Sequence, residues 1–316
     1  MTKSSLLTVA LGSGVALLAA CSNNGLAGSP SAPSSTTQVQ TQSGPAKQAT
    51  KRGLAELSVA DRGLNEVLEF NKTYKPTGTI SDSGPDGDWI DAKGNLYVTN
   101  FSSGNVTVNE YNKADALIFT YSNGLTEPVD VTTDAKGNVI VANFAGYKHV
   151  GTVVVYPQGN NTASVTCNTG LANEGVAVDS KGDLFVTGYS GNSGEIIEYK
   201  GGLTSPCSAT TLAPTLSNPA GIQVDKKDDL VVCDQHTAVD IIPPPYTSIS
   251  RTITVSGGSD YLHDALTGDN KLLFIADPNA VVVDVVDYST GTLVTQLNSS
   301  NGLSSPFGVA TYPFAK

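Results

Sequence analysis

The chain predicts an all-β fold, a six-bladed β-propeller. Three observations carry that prediction. A two-strand motif recurs along the sequence, the recurrence is spaced by roughly 40–45 residues, and one copy is divided between the two ends. Repeats of that length, built of short strands, cannot bury an apolar face alone. Arranged in a ring, each gains a neighbour on both sides.

The first full copy reads Trp89-Ile90-Asp91-Ala92-Lys93-Gly94-Asn95-Leu96-Tyr97-Val98-Thr99-Asn100, a strand ending in Asp, a Lys-Gly turn and a strand ending in Asn. It recurs as Val131-Thr132-Thr133-Asp134-Ala135-Lys136-Gly137-Asn138-Val139-Ile140-Val141-Ala142-Asn143. A third copy runs Val176-Ala177-Val178-Asp179-Ser180-Lys181-Gly182-Asp183-Leu184-Phe185-Val186-Thr187-Gly188. A fourth occupies residues 222–234, and a weaker fifth occupies 265–277. Near the C-terminus, Phe307-Gly308-Val309-Ala310-Thr311-Tyr312 matches the second strand of a blade. Leu57-Ser58-Val59-Ala60-Asp61 matches a third strand, and residues 65–70 match a fourth. The last blade is therefore expected to take two strands from each end, a two-plus-two closure. Such a ring has no free blade face, and its closure entropy grows slowly with loop length.

Composition agrees. Glycine is abundant at 32 residues, and Val, Ile, Thr and Tyr dominate the strand segments, as a pleated, half-buried surface prefers. No helical apolar period is sustained after the N-terminus. Residues 54–316 suffice for one large core. The formal net charge of −11, with no basic stripe, excludes a nucleic-acid surface and favours solubility.

Residues 1–21 read as a targeting segment: Lys3, an apolar stretch over 6–20, then small residues. The stretch is short for a membrane span. Its end, Leu18-Ala19-Ala20-Cys21, resembles the lipobox of bacterial lipoproteins. That resemblance implies cleavage before Cys21, lipid on its sulfur and amino group, and, with Ser22 next, retention at the outer membrane. The expected location is extracytoplasmic, on the periplasmic side of the outer membrane or at the cell surface. Residues 22–53 are Ser, Thr, Gln, Gly, Ala and Pro with almost no large apolar side chain, a composition expected to stay disordered as a tether. The three later cysteines lie where disulfides are permitted. Cys167 and Cys207 are the candidate pair, if adjacent blades bring them together; Cys233 reads as a small core residue.

The pattern Pro-x-Gly-x-x-Val-Asp, a turn, Gly-Asn-Leu-Tyr-Val, then Gly-x-Val and a Tyr, resembles the NHL-repeat propellers. It is also similar to the six-bladed SMP-30/gluconolactonase/strictosidine-synthase-like group. The likeness covers essentially all of 54–316 and is specific for architecture. The same blades serve hydrolases, lyases and binding proteins.

The Asp-Ala-Lys-Gly-Asn turns are read as structural. Asp at a turn start accepts from the following backbone and Gly supplies positive φ, whereas a calcium loop needs more carboxylates at alternate positions. The informative ring is the residue before the consensus Gly: Asp86, Val129, Glu174, Ala220, His263 and Phe307. The resemblance to SMP-30-like enzymes implies metal ligands at some of these places. It maps them to Asp86 and Glu174, with His263 at a third place; Asp130 replaces a consensus Gly. A divalent cation (Ca, Zn or Mn) held there would polarise a lactone carbonyl or acidify a bound water. The Asn-Asp-Gly and Ser-Asn-Gly motifs of the lactonase site are absent, and Val129, Ala220 and Phe307 fill half the ring. His149 and His236 lie in loops, and no Gly-x-Ser-x-Gly elbow or phosphate loop is present.

The competing expectation is a non-catalytic recognition module. Phe101, Phe144 and Tyr189 each follow a third strand, so they should ring one face and stack on sugar or clamp a peptide; alternatively they fill gaps between blades. Tyr147, Tyr246 and Tyr261 also read as exposed loop aromatics. Pro243-Pro244-Pro245 reads as a stiff spacer. The leading function is thus a lipid-anchored, monomeric module binding a protein, peptide or glycan. The alternative is a metal-dependent lactonase- or esterase-like hydrolase, or a lyase.

Overall fold

Each repeat folds as an antiparallel hairpin because its turn satisfies its own backbone. Asp91 Oδ1 accepts from the Lys93 and Asn95 N–H groups, both at 2.8 Å. Asp134, Asp179 and Asp225 hold the same two positions in their own turns. Gly94, Gly137 and Gly182 supply the left-handed residue that each turn requires, and Asp228 takes that conformation in the fourth.

The computed structural model describes residues 57–102, 104–144, 146, 150–235 and 238–312. The leader, Cys21, the tether, Tyr147, His149 and His236 lie outside them. The first three strands are β1 (Leu57–Asp61), β2 (Glu66–Phe70) and β3 (Pro76–Ser81). Blade 1 is β4 (Pro85–Ile90), β5 (Leu96–Ser102), β6 (Asn105–Tyr111) and β7 (Leu117–Tyr121). Blade 2 is β8 (Pro128–Thr133), β9 (Val139–Asn143), β10 (Thr152–Tyr156) and β11 (Val165–Asn168). Blade 3 is β12 (Ala172–Val178), β13 (Leu184–Ser190), β14 (Ser193–Tyr199) and β15 (Thr210–Thr211). Blade 4 is β16 (Pro219–Val224), β17 (Leu230–Asp234), β18 (Ala238–Ile242) and β19 (Arg251–Ile253). Blade 5 is β20 (Asp264–Leu266), β21 (Leu272–Asp277), β22 (Val282–Asp287) and β23 (Thr292–Leu297), and β24 (Pro306–Thr311) comes last. The sheets are six antiparallel four-stranded blades, as expected of a propeller.

Closure differs from the two-plus-two expectation. The sixth blade has the order β24-β1-β2-β3, one strand from the C-terminal end and three from the N-terminal end. The cause is a tight turn. Asn71 Oδ1 accepts from the Thr73 and Lys75 N–H groups, and Tyr74 adopts φ 59°, so β3 folds straight back onto β2 instead of opening the next blade. Every blade is phased the same way. The first strand of each repeat is innermost, closed by Asp in blades 1 to 4, and the strand before the link to the next blade is outermost.

Strand alternation gives each blade two apolar faces, and the core is accordingly a set of layers between blades. Val129, Phe144, Val186 and Tyr189 pack between blades 2 and 3. Val59, Phe70, Phe274 and Val285 pack between blades 5 and 6. The innermost strands approach so closely that side chains are excluded. A Cβ on Gly308 would collide with the Asp86 carbonyl oxygen, and one on Gly175 with that of Ala220. This is what the consensus glycine does. Cys167 and Cys207 form a disulfide with Cα atoms 5.9 Å apart, tying β11 to the segment between β14 and β15. Cys233 is a free thiol buried in the core.

Candidate functional site

All inner strands run in the same sense, so the propeller has two unlike faces. One carries the Asp-Lys-Gly turns. The other gathers the starts of the inner strands and the residues that follow each second strand. On this second face the channel opens into a depression of about 450 Å³.

Two rings of repeat-equivalent residues line it. The inner ring is Asp86, Val129, Glu174, His263 and Phe307; only Ala220 of the six expected positions is absent from the wall. The outer ring is the residue at the end of each second strand, just beyond its closing Asp or Asn: Arg62, Phe101, Phe144, Gln235 and Pro278. Asp260, Asn279 and Ser305 complete the rim. The strand-ending carboxylates and amides just outside are structural. Asp61 accepts from the Ser304 and Ser305 N–H groups at 2.7 and 2.9 Å, and Asn143 accepts from those of Thr126 and Glu127.

Arg62 organises the mouth. Its guanidinium donates to Asp86, lies 3.9 Å from the Phe307 ring centroid and 5.1 Å from that of Phe101. A cation held over aromatic faces and tied to a buried carboxylate is a fixed element of the wall. Behind it, His263 places Nε2 3.9 Å from Asp86 and Nδ1 3.9 Å from Asp130. Asp130 is buried and accepts from the Val131 and Val176 N–H groups, both at 2.8 Å.

Burial dominates the protonation of this group. It raises Asp86 to about 6, against the opposing pull of Arg62. Burial, with the nearby Asp86 and Asp260 charges, raises Glu174 to about 8. Burial and the Arg62 charge lower His263 to about 4. Asp130 and Asp264 are also pushed well up by burial. At neutral pH the mouth thus holds one ion pair, Arg62–Asp86, beside a neutral imidazole and a largely protonated Glu174. A protonated carboxyl donates as well as accepts hydrogen bonds.

The structure brings Asp86, Glu174 and His263 to one mouth. As a metal set they fit poorly, because the Arg62 guanidinium already holds Asp86. Among the described residues no group of three or more His, Cys, Asp or Glu side chains is arranged to hold a metal ion. The aromatic ring is partly internal. Phe101 is half-buried and lines the depression; Phe144 lines it but is 9% exposed. Tyr189 is buried in the layer between blades 2 and 3. Tyr246 and Tyr261, read as exposed from the sequence, are buried: Tyr246 packs edge-on against Phe185, and Tyr261 fills the layer between blades 4 and 5. Sequence reasoning missed Arg62, although it occupies the same repeat position as Phe101 and Phe144.

No family model matches the chain, and no curated protein matches it. Solved structures do. A chain from a crystal structure of a nidogen/laminin complex superposes with a TM-score of 0.67 at 16% identity, covering 83% of this chain and 100% of that one. A candidate 6-phosphogluconolactonase from Bacteroides fragilis NCTC 9343 gives 0.58 at 13% identity, covering 83% and 99%. Virginiamycin B lyase from Staphylococcus aureus gives 0.55 at 13% identity, covering 79% and 82%. At these identities the likeness is one of fold.

Proposed function

We propose that this propeller is an extracytoplasmic binding module of the NHL/SMP-30-like group, taking a protein, peptide or glycan ligand at the mouth built around Arg62. One observation carries the reading. The mouth combines three phenylalanines with a fixed ion pair, a neutral histidine and a protonated carboxyl. That is the mixture of apolar wall and few convergent polar groups expected of a ligand site. Similarity to a chain of a nidogen/laminin complex supports protein binding by this fold. The Cys167–Cys207 disulfide supports an oxidising compartment, and the Leu-Ala-Ala-Cys leader supports a lipid anchor on Cys21.

The second reading is a metal-dependent hydrolase or lyase of the SMP-30 type. The shared mouth of Asp86, Glu174 and His263 favours it; the Arg62–Asp86 pair stands against it. Melting of the chain from Ser22 onward, against panels of peptides, oligosaccharides and the chlorides of calcium, zinc and manganese, separates the two. The binding reading expects a peptide or saccharide to raise the melting point, with loss of the effect in Phe101→Ala and Arg62→Ala. A metal-dependent rise abolished by Asp86→Ala and Glu174→Ala, with no organic ligand active, would transfer the site to the second reading.

A further inference from the structure

The mouth carries more acidic groups than it balances. Three carboxyl side chains line the depression, Asp86, Glu174 and Asp260, and Arg62 is the only lysine or arginine among its lining residues. Two more, Asp130 and Asp264, stand buried one residue further along the inner strands of blades 2 and 5. Asp130 lies within electrostatic reach of Asp86 and Asp264. Arg62 is already committed to Asp86.

Glu174 has no such partner. Among the described residues its carboxyl makes no hydrogen bond or ion pair, and the charges that act on it, Asp86 and Asp260, share its sign. His263, in the same wall, is also without a hydrogen bond. It is 8% exposed, and its ring nitrogens stop 3.9 Å from Asp86 and from Asp130, beyond hydrogen-bond reach. A buried polar side chain left in this state in a cavity wall points to a group supplied from outside.

The fold itself shows what fits. The Arg62 guanidinium rests over the Phe307 and Phe101 rings with its charge on Asp86. A second cation would meet the same chemistry: carboxyls at Glu174 and Asp260, the latter steadied by the Asn279 amide at 3.0 Å, and Phe144 in the wall. A metal ion would leave the phenylalanines unused, and a neutral saccharide supplies no counter-charge. Lysine and arginine meet both needs, because their aliphatic stems lie along apolar surface while the charged head reaches the acids. An incoming cation takes the place of the proton that burial leaves on Glu174.

We propose that the mouth recognises a lysine or arginine side chain of a protein or peptide, with its stem along Phe101 and Phe144 and its charge on Glu174 and Asp260. This rests on the mouth being the ligand site proposed above, and it names what that site takes.

The test uses the chain from Ser22 onward and blocked pentapeptides, two glycines on either side of lysine, arginine, norleucine or glutamate, titrated by calorimetry to millimolar concentration. Salt at about 1 M shortens the screening length to about 3 Å, which suppresses diffuse attraction to a chain of net charge −11. The lysine or arginine peptide should bind about tenfold or more tightly than the norleucine peptide, as expected of hydrogen bonds to a charged group. Glu174→Gln keeps the shape and removes the charge. It should erase that preference, and Asp260→Asn should reduce it, while far-ultraviolet circular dichroism of both variants matches the parent. Equal affinity for the lysine and norleucine peptides, or a lysine preference that survives both substitutions, would overturn the inference and leave an apolar peptide site in place. An oligosaccharide whose binding is lost in Phe101→Ala, where no basic peptide binds, would overturn it too and keep the mouth as a ligand site. Failure of every peptide and saccharide would remove both readings.

Discussion

Glu174 gives the mouth a measurable signature. Its ordinary value is 4.5 and its folded value about 8, so the folded chain keeps a proton that the unfolded chain releases. The sign follows: stability from this group is complete below 4.5 and is lost as pH rises through about 8. His263 runs the other way, its contribution present above 6.5 and lost as pH falls towards about 4. Replacing Glu174 by Gln removes the first effect alone. Calorimetry should show Glu174→Gln melting above the parent at pH 8, with the gap closing near pH 4.5. For a domain of this size each kcal/mol appears as about 2–4 °C. A gap constant with pH would remove the buried, protonated Glu174 from the description. Asp86, Glu174 and His263 were legible because the repeat fixes their position beside the consensus glycine. Arg62 was hidden by the split copy, which separates it from the sequence context of Phe101 and Phe144. Asp260 comes from the link between β19 and β20, which carries no repeat register, and Asn279 from the β21–β22 turn one residue beyond the ring position of Pro278, so no pattern pointed to them.

Individual strands were readable wherever a turn signalled both ends. The Asp-Lys-Gly hairpins marked first and second strands in blades 1 to 3, and the folded turns satisfy their backbone as the residues suggest. Outer strands were not readable in the same way. β15 is two exposed residues and β3 is largely exposed, so neither shows the alternation that a buried strand imposes. That weakness misplaced β3 and with it the form of the closure. The glycine at each inner strand makes a sharper element-level claim. Gly308→Ala should lower the unfolding free energy measured by urea titration by about 1–3 kcal/mol, the range for overpacking, and the midpoint with it, because the atom it meets is backbone. An unchanged midpoint would mean that β24 and β4 separate more easily than their packing indicates.

Across the whole ring, stability rests on layers between neighbours, and the Cys167–Cys207 bridge fastens one such pair, blades 2 and 3. The cysteines are 40 residues apart, so chain-entropy reasoning gives the bridge about 4 kcal/mol. Thermal melting with and without reductant should show a drop of several degrees, reproduced in Cys167→Ala/Cys207→Ala without reductant. Cys233 is fully buried and does not confuse the comparison. At this scale the sequence was most informative: five whole repeats and a divided sixth sufficed for the architecture. The ligand was not legible, because the blades that build the ring are the same whatever its mouth holds.

The single C-terminal strand of the closing blade also sets an order in time. β1, β2 and β3 are the first of the described strands to be made, and their inward edge has no partner until β24, the last of them, is made. A chain still being synthesised is therefore an arc with one vacant slot. The ring becomes whole only on delivery of residues 306–311. A chain cut short before them is left with the bare edge of β1, an open strand by which incomplete copies can be told from finished ones.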